Sequence, residues 1–193
     1  MAEFSLRSAR PDELQQIVAI DDQATGLFAE AGLDIALDKE HPFVVAESLR
    51  WANAIEEGRA HVAVNCQDIP IGFATFSIVD GEPYLDQLAV LPRNMRCGVG
   101  TSLLNHAISW SGGRSLWLTT YAHLPWNGPY YQRHGFATIK ESECGPELRA
   151  VLWEQRLALP NPDQRIAMVR RFHSIGTYGH SPASPPQIAY PLG

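Results

Sequence analysis

Cysteine is scarce and poorly spaced for either of its usual structural uses. Cys66, Cys97 and Cys144 are the only three, and no two of them form a Cys-x-x-Cys pair. That excludes a zinc ribbon, and three widely scattered thiols argue against a disulfide framework. Histidine offers no metal site either, since none of the seven is placed in a His-x-x-x-His pattern. Positive charge is in deficit: 15 Lys and Arg stand against 21 Asp and Glu, a formal net charge of -6. A chain with no basic surplus to neutralise phosphates is not expected to bind nucleic acid. No run approaches the ~20 apolar residues of a membrane-crossing helix. The start, Met1–Arg7, lacks the basic-then-apolar order of a secretory leader. The expectation is a cytoplasmic protein with reduced thiols, no metal, and neither membrane nor nucleic acid as partner.

What is present reads as one folded domain. The chain has 193 residues, 45% of them hydrophobic and 19% charged, enough for a sizeable core. A short strand over 4–9 is followed by a helix that Pro11 opens, with Leu14, Ile17, Val18 and Leu27 at helical spacing. A second helix is expected over 42–57, ended by Gly58. The period then changes to that of strands, at 60–64, 71–79 and 84–91, joined by Gln67–Pro70 and Asp80-Gly81 turns. A helix over 100–110 ends at Gly112-Gly113, a strand follows over 115–121, and a short helix over 129–134 leads to a strand at 136–140. A helix over 147–159 and a strand over 166–172 complete the domain, residues 1–173. The fold class is therefore α/β, in the sense of an α+β mixed sheet: antiparallel early and parallel where a helix connects strands. The segment 174–193, rich in proline, serine and glycine, reads as a tail and is a candidate for packing on a second subunit of a homodimer.

The turn between the strand at 84–91 and the next helix carries the chemistry. Gly98 and Gly100 let the chain turn tightly and let a ligand approach the backbone. The N–H groups at the following helix start are free of intrahelical partners, and the helix dipole makes that end attract anions. Together they suit a pyrophosphate, and Arg93 and Arg96 add full charges. By itself this is a helix start that favours anions. The third glycine of the Rossmann fingerprint is missing, and so is the Gly-Lys-Ser/Thr of a P-loop.

The wider pattern is more specific. Leu88-Ala89-Val90-x-Pro92, then Arg96-x-Gly98-x-Gly100-x-x-Leu103-Leu104, a strand, and Pro125-Trp126-Asn127-Gly128-Pro129-Tyr130-Tyr131-x-x-x-Gly135-Phe136 resemble the GNAT family of N-acetyltransferases. The resemblance spans roughly residues 4–172 and is sharpest over 85–136. Two departures stand out. Met95 occupies the place where the family usually has Gln or Arg, and Asn127 precedes Tyr131 by four residues rather than seven. The resemblance implies acetyl-CoA as cosubstrate. It places the pantetheine arm along the backbone of Leu88, Ala89 and Val90, and the pyrophosphate on Arg96, Cys97, Gly98, Val99, Gly100 and Thr101. Asn127 would cap the short helix or touch the cofactor.

Acetyl transfer to an amine needs a proton acceptor for the amine, a donor for the leaving thiolate, and stabilisation of the carbonyl oxygen. By the resemblance Tyr131 is the donor, with Tyr130 as the substitute. Two-residue alternation places Tyr84, Asp86, Leu88 and Val90 on one strand face, which makes Asp86 a carboxylate among apolar neighbours and a candidate base. His123 is an alternative base. The activity implied is transfer of the acetyl group to a primary amine of a small molecule by direct attack in a ternary complex. An acyl-CoA sensor without turnover and an acetyltransferase acting on a protein or peptide amine remain alternatives. The acceptor would be chosen mainly by the first two helices and the segment 28–41, and by the later loops, with the helix over 147–159 as a candidate cover for the acceptor site. Within 28–41, Glu30, Asp34, Asp38 and Glu40 could attract a cation, although a solvated face explains them at least as well.

Overall fold

Strand-forming sequence that is apolar on both faces must lie inside a sheet. The stretch Pro70–Val79 is buried at its first seven positions and forms β3 of a computed structural model that describes residues 3–172. The tail at 174–193, with its expected part in a homodimer, lies outside the described residues. Before β3 come β1 (Phe4–Ser8), α1 (Leu14–Glu30), α2 (Pro42–Glu56) and β2 (Ala60–Asn65). After it come β4 (Glu82–Val90), α3 (Val99–Trp110), β5 (Leu116–Tyr121), α4 (Gly128–Arg133), β6 (Ala137–Ile139), α5 (Pro146–Ala158) and β7 (Arg165–Arg170). The seven strands form one sheet in the order β1-β2-β3-β4-β5-β7-β6.

The first four strands are antiparallel neighbours, and β4 and β5, joined through α3, are parallel. The expectation of parallel pairing across a helix fails at the next crossover. Strands β5 and β6, joined through α4, are not neighbours, because β7 lies between them and is antiparallel to both. Burial explains the insertion. Ala167, Met168 and Val169 of β7 are each 2% exposed or less, whereas Ala137 and Thr138 of β6 are exposed. A doubly apolar strand takes the interior, and a short polar one takes the edge.

Two neighbouring residues of β3 show how the helices divide. Phe73 meets Trp51 of α2 edge-on at 5.4 Å. A Cβ on the adjacent Gly72 would meet Val99 of α3 at 3.1 Å. Consecutive strand residues point to opposite faces, so α2 and α3 cover opposite sides of the sheet. Helix α1 packs on α2, and α5 also touches α2. The α5 residues Leu148 and Leu152 bury against Tyr84 and Ala167.

The feature that shapes the site is a bulge in β4. Thr75 pairs with Gln87 and the next residue, Phe76, pairs with Leu85, which leaves Asp86 as the extra residue. A bulge interrupts the two-residue alternation. Asp86 and Gln87, although consecutive, both reach the α1/α2 side, Asp86 to Arg50 and Gln87 to Asp21. Leu88 and Val90 point the other way, toward Gly100 at the start of α3. The single face expected for Tyr84, Asp86, Leu88 and Val90 is therefore split at Asp86.

Candidate active site

Strands β4 and β5 pair only at Tyr84–Trp117 and Leu85–Leu118. Beyond the bulge they part, and β4 has a free edge. The Leu91 N–H donates to the Ile71 carbonyl of β3 at 2.9 Å. By alternation the backbone groups of Leu88 and Val90 then face the gap, while those of Ala89 face β3. The Leu88 N–H finds only the side-chain oxygen of Gln87, at 3.3 Å. An extended ligand with amide groups could pair along this edge as an added strand. Two of the three residues expected to do so present their backbone to it; Ala89 does not.

The glycine turn lies at the end of that edge. Arg96 and Gly98 both have left-handed backbone, φ +60° and +86°, and this reversal starts α3 with the amides of its first turn pointing outward. The Ser102 N–H is bonded to the Gly98 carbonyl, and no side chain caps Gly98. The N–H groups of Val99, Gly100 and Thr101 precede that bond and have no partner within the helix. Of the residues expected around the pyrophosphate, Arg96, Gly98, Gly100 and Thr101 line the cleft. Cys97 is exposed outside it, and the Val99 side chain is buried in the core, so Val99 has only its backbone to offer.

Helix α4 closes the far side. Tyr131 is 8% exposed and lines the cleft. Burial first, then the neighbouring phenols Tyr130 and Tyr84, hold its hydroxyl well above the usual tyrosine range, so it stays protonated. The buried Tyr130 hydroxyl has no hydrogen-bond partner and lies 3.6 Å from where a Cβ on Gly100 would be. Asn127 stands at the start of α4, but its side chain does not cap the helix. Its amide donates instead to Thr120 Oγ1 at 2.7 Å, leaving its own buried oxygen without a partner. Gly128 packs so closely that a Cβ there would overlap the Ala122 backbone, with the carbonyl carbon at 3.0 Å. That contact sets the position of both tyrosines. Two unpartnered buried polar atoms, a free strand edge and an amide-rich turn lie along one cleft, and together they fit a nucleotide with an amide-containing arm.

The cleft, about 520 Å³, continues through the gap to the α1/α2 side of the sheet. It ends there at Asp86 and among three groups that the sequence did not single out, Asp21, Glu47 and Arg165. Asp21 of α1 accepts from Gln87 Nε2 at 2.6 Å, and burial pushes its carboxyl up to about 7. Glu47 of α2 is pushed up to about 8, by burial first and then by the charges of Asp21 and Asp86. Asp86 is also raised by burial, against the pull of Arg50 at 3.4 Å. Arg165 of β7 faces the same space. His123 does not line the cleft, and neither do Glu30, Asp34, Asp38 or Glu40; from that loop it is Ile35, Leu37 and Lys39 that do. One sequence signal for Glu47 was available: it stands four residues from both Phe43 and Trp51, on a helix stripe that is otherwise apolar.

The raised carboxyls carry a sign for stability. Asp21 and Glu47 are protonated in the folded chain at pH values where the unfolded chain has lost those protons. Their contribution is fully present below about pH 4 and is lost as pH rises through 7 to 8. The ligand-free protein should therefore become more stable on acidification from pH 9 to 6, by up to about 1.4 kcal/mol per pH unit for each group. Urea denaturation across that range measures it, and Glu47→Gln should flatten the slope.

A mixed sheet opened at one strand pair, with an amide-rich turn at the mouth and buried ionisable groups at the far end, is a frame that suits a transferase with a nucleotide cosubstrate. Comparison with known proteins places it. The model of the Acetyltransferase (GNAT) family matches residues 20–136, more than half of the chain, and the chain belongs to that family. A curated relative, the uncharacterized N-acetyltransferase YafP of Escherichia coli (strain K12), is 29% identical over 147 residues, 75% of this chain and 89% of its own. Among solved structures, PaiA N-acetyltransferase from Thermoplasma acidophilum in complex with coenzyme A matches with TM-score 0.63 and 12% identity, over 88% of this chain and 99% of that one. N-acetylglutamate synthase from Neisseria gonorrhoeae, complexed with coenzyme A and N-acetyl-glutamate, matches with TM-score 0.61 and 23% identity over 90% of this chain. This chain spans only 36% of that enzyme's length. At these identities the two structures testify to the fold. Among the described residues no helix is long and apolar enough to cross a membrane, and no three His, Cys, Asp or Glu side chains are grouped to hold a metal ion.

Proposed function

We propose that the chain moves the acetyl group of acetyl-CoA to the primary amine of a small molecule, by direct attack in a ternary complex. The observation that carries this is the free edge at Leu88 and Val90, which runs from the glycine turn to Tyr131 through the parted strands. Leu88 and Val90 would pair with the pantetheine amides. Arg96 and the amides of Gly98–Thr101 would hold the pyrophosphate, and Arg133 adds charge along the same cleft. The neighbour solved with coenzyme A supports this assignment.

The amine nitrogen bonds to the thioester carbonyl carbon, and the carbon–sulfur bond breaks. Tyr131 gives its proton to the departing sulfur. Glu47 receives the amine proton, since a carboxyl titrating near neutrality suits a general base better than one held in an ion pair. Asp86, the base expected from strand alternation, is held by Arg50 and is assigned to positioning that arginine. No cysteine lines the cleft, which favours direct transfer over an acyl-cysteine intermediate. Enclosure of the far end by α1, α2 and the loop between them favours a small acceptor over a folded protein.

The test is release of CoA thiol from acetyl-CoA across amino acids, polyamines, aminoglycosides and simple amines, with acetyl-CoA binding measured in parallel. Release with at least one small amine is expected. Tight binding with no release under any of them would turn the reading to a sensor, and release only with peptides or proteins would move the acceptor class. Glu47→Gln should lower kcat/KM at neutral pH by about tenfold and remove the acidic limb of its pH profile.

A further inference from the structure

The far end of the cleft has two poles. Asp21, Glu47 and Asp86 line it from α1, α2 and β4. On the opposite wall Arg165 of β7 is 8% exposed and has no carboxylate within ion-pairing distance among the described residues. One Nη is held by Gln155 Oε1 at 2.6 Å and reaches Thr119 Oγ1 at 3.5 Å. Its guanidinium lies over the Tyr121 ring at 4.8 Å, and its Nε is buried with no partner. Gln155, itself 8% exposed, comes from α5 and lines the same cleft.

A guanidinium buried without a counter-ion is strongly unfavourable unless a ligand supplies one. Its planar fork matches a carboxylate with two parallel hydrogen bonds. Stacking on Tyr121 and the bond to Gln155 fix that fork before any ligand arrives. Glu47 and Arg165 line the same cleft, and no direct ion pair joins them. A small zwitterion would bridge that gap, its amine toward Glu47 and its carboxylate on Arg165.

We propose that the acceptor is an amine that also carries a carboxylate, of amino-acid type, with Arg165 as the residue that selects it. This rests on the acetyltransferase reading above and names its substrate class. Arg165 on one wall and the proton-accepting Glu47 on the other orient such a molecule and present its amine to the thioester. An amine without the carboxylate would leave Arg165 unpaired, and that unpaired charge is the basis of the selectivity.

The test compares matched sets, each an amino acid, its α-carboxamide and its decarboxylated amine, in two assays. One measures thiol release, and the other measures equilibrium binding to the CoA-loaded protein by calorimetry. For at least one set the acid should be favoured over its carboxamide by about 30-fold in kcat/KM and in affinity. In Arg165→Met that ratio should fall toward one, and in Arg165→Lys, which keeps the charge but loses the fork, it should lie between. If Arg165→Met does not fold, the lysine variant and the wild-type ratios carry the test. Acids and carboxamides used equally by the wild type, or a ratio unmoved in the variants, would overturn the proposal. Preferential binding of acids without thiol release would instead overturn the enzymatic reading and leave only the recognition of the carboxylate by Arg165 standing.

Discussion

Tyr131→Phe is expected to lose about 100-fold or more in kcat while binding acetyl-CoA within about twofold of the wild type. The substitution removes one oxygen from a side chain that is 8% exposed and packed edge-on against Tyr130 and Phe136, so the ring and the α4 turn remain. Burial keeps the hydroxyl protonated, which makes it a donor and not a base at neutral pH. Its loss should therefore be felt where the thiolate departs and not where the cosubstrate binds. Thiol-release kinetics and acetyl-CoA titration separate the two effects. An unchanged kcat would remove Tyr131 from the chemistry and pass the role to Tyr130, whose hydroxyl lies beside the glycine turn.

A second large effect is expected at the turn. Gly98→Val should weaken acetyl-CoA about 100-fold. Nothing lies within 4 Å of a Cβ built on Gly98, so space is not the obstacle. The obstacle is its φ of +86°, a conformation that β-branched residues strongly resist. Valine would rotate the backbone away and withdraw the amides that open α3, at a cost of about 3 kcal/mol in binding. Gly100 differs. Its φ is ordinary, and an added Cβ would meet Tyr130, Val90 and Leu88 at 3.6 to 3.9 Å, which is normal contact, so Gly100→Ala should be mild and only larger side chains harmful. Met95→Ala should also be mild, because the anion contacts of this turn reside in backbone N–H groups. Calorimetric affinities in the reverse order would falsify the backbone account.

Much of this was legible along the chain. Pro11 and Pro42 at helix starts, Gly58 after the second helix, and the switch to strand period at residue 60 are local signals read within a turn or two. The glycine turn belongs with them: the conformations of Arg96 and Gly98 and the free amides after them depend on neighbours in sequence. The facing of Asp86 was the instructive miss. Strict alternation placed it with Leu88 and Val90, but the bulge is set by how β4 registers with β3, and it turned Asp86 and Gln87 together toward α1 and α2. The interposition of β7 between β5 and β6 is of the same kind, since burial from both sides, not chain order, placed that strand.

The order of elements, the glycine turn and membership of the GNAT acetyltransferase family were determined by the sequence alone, because each is carried by short-range spacing. The far end of the cleft was decided only by tertiary structure. Asp21, Glu47 and Arg165 come from α1, α2 and β7, and as isolated letters they read as solvated helix or strand charges. Their ionisation, and so their chemistry, depends on exclusion of water, and water is excluded only where these elements close over one another.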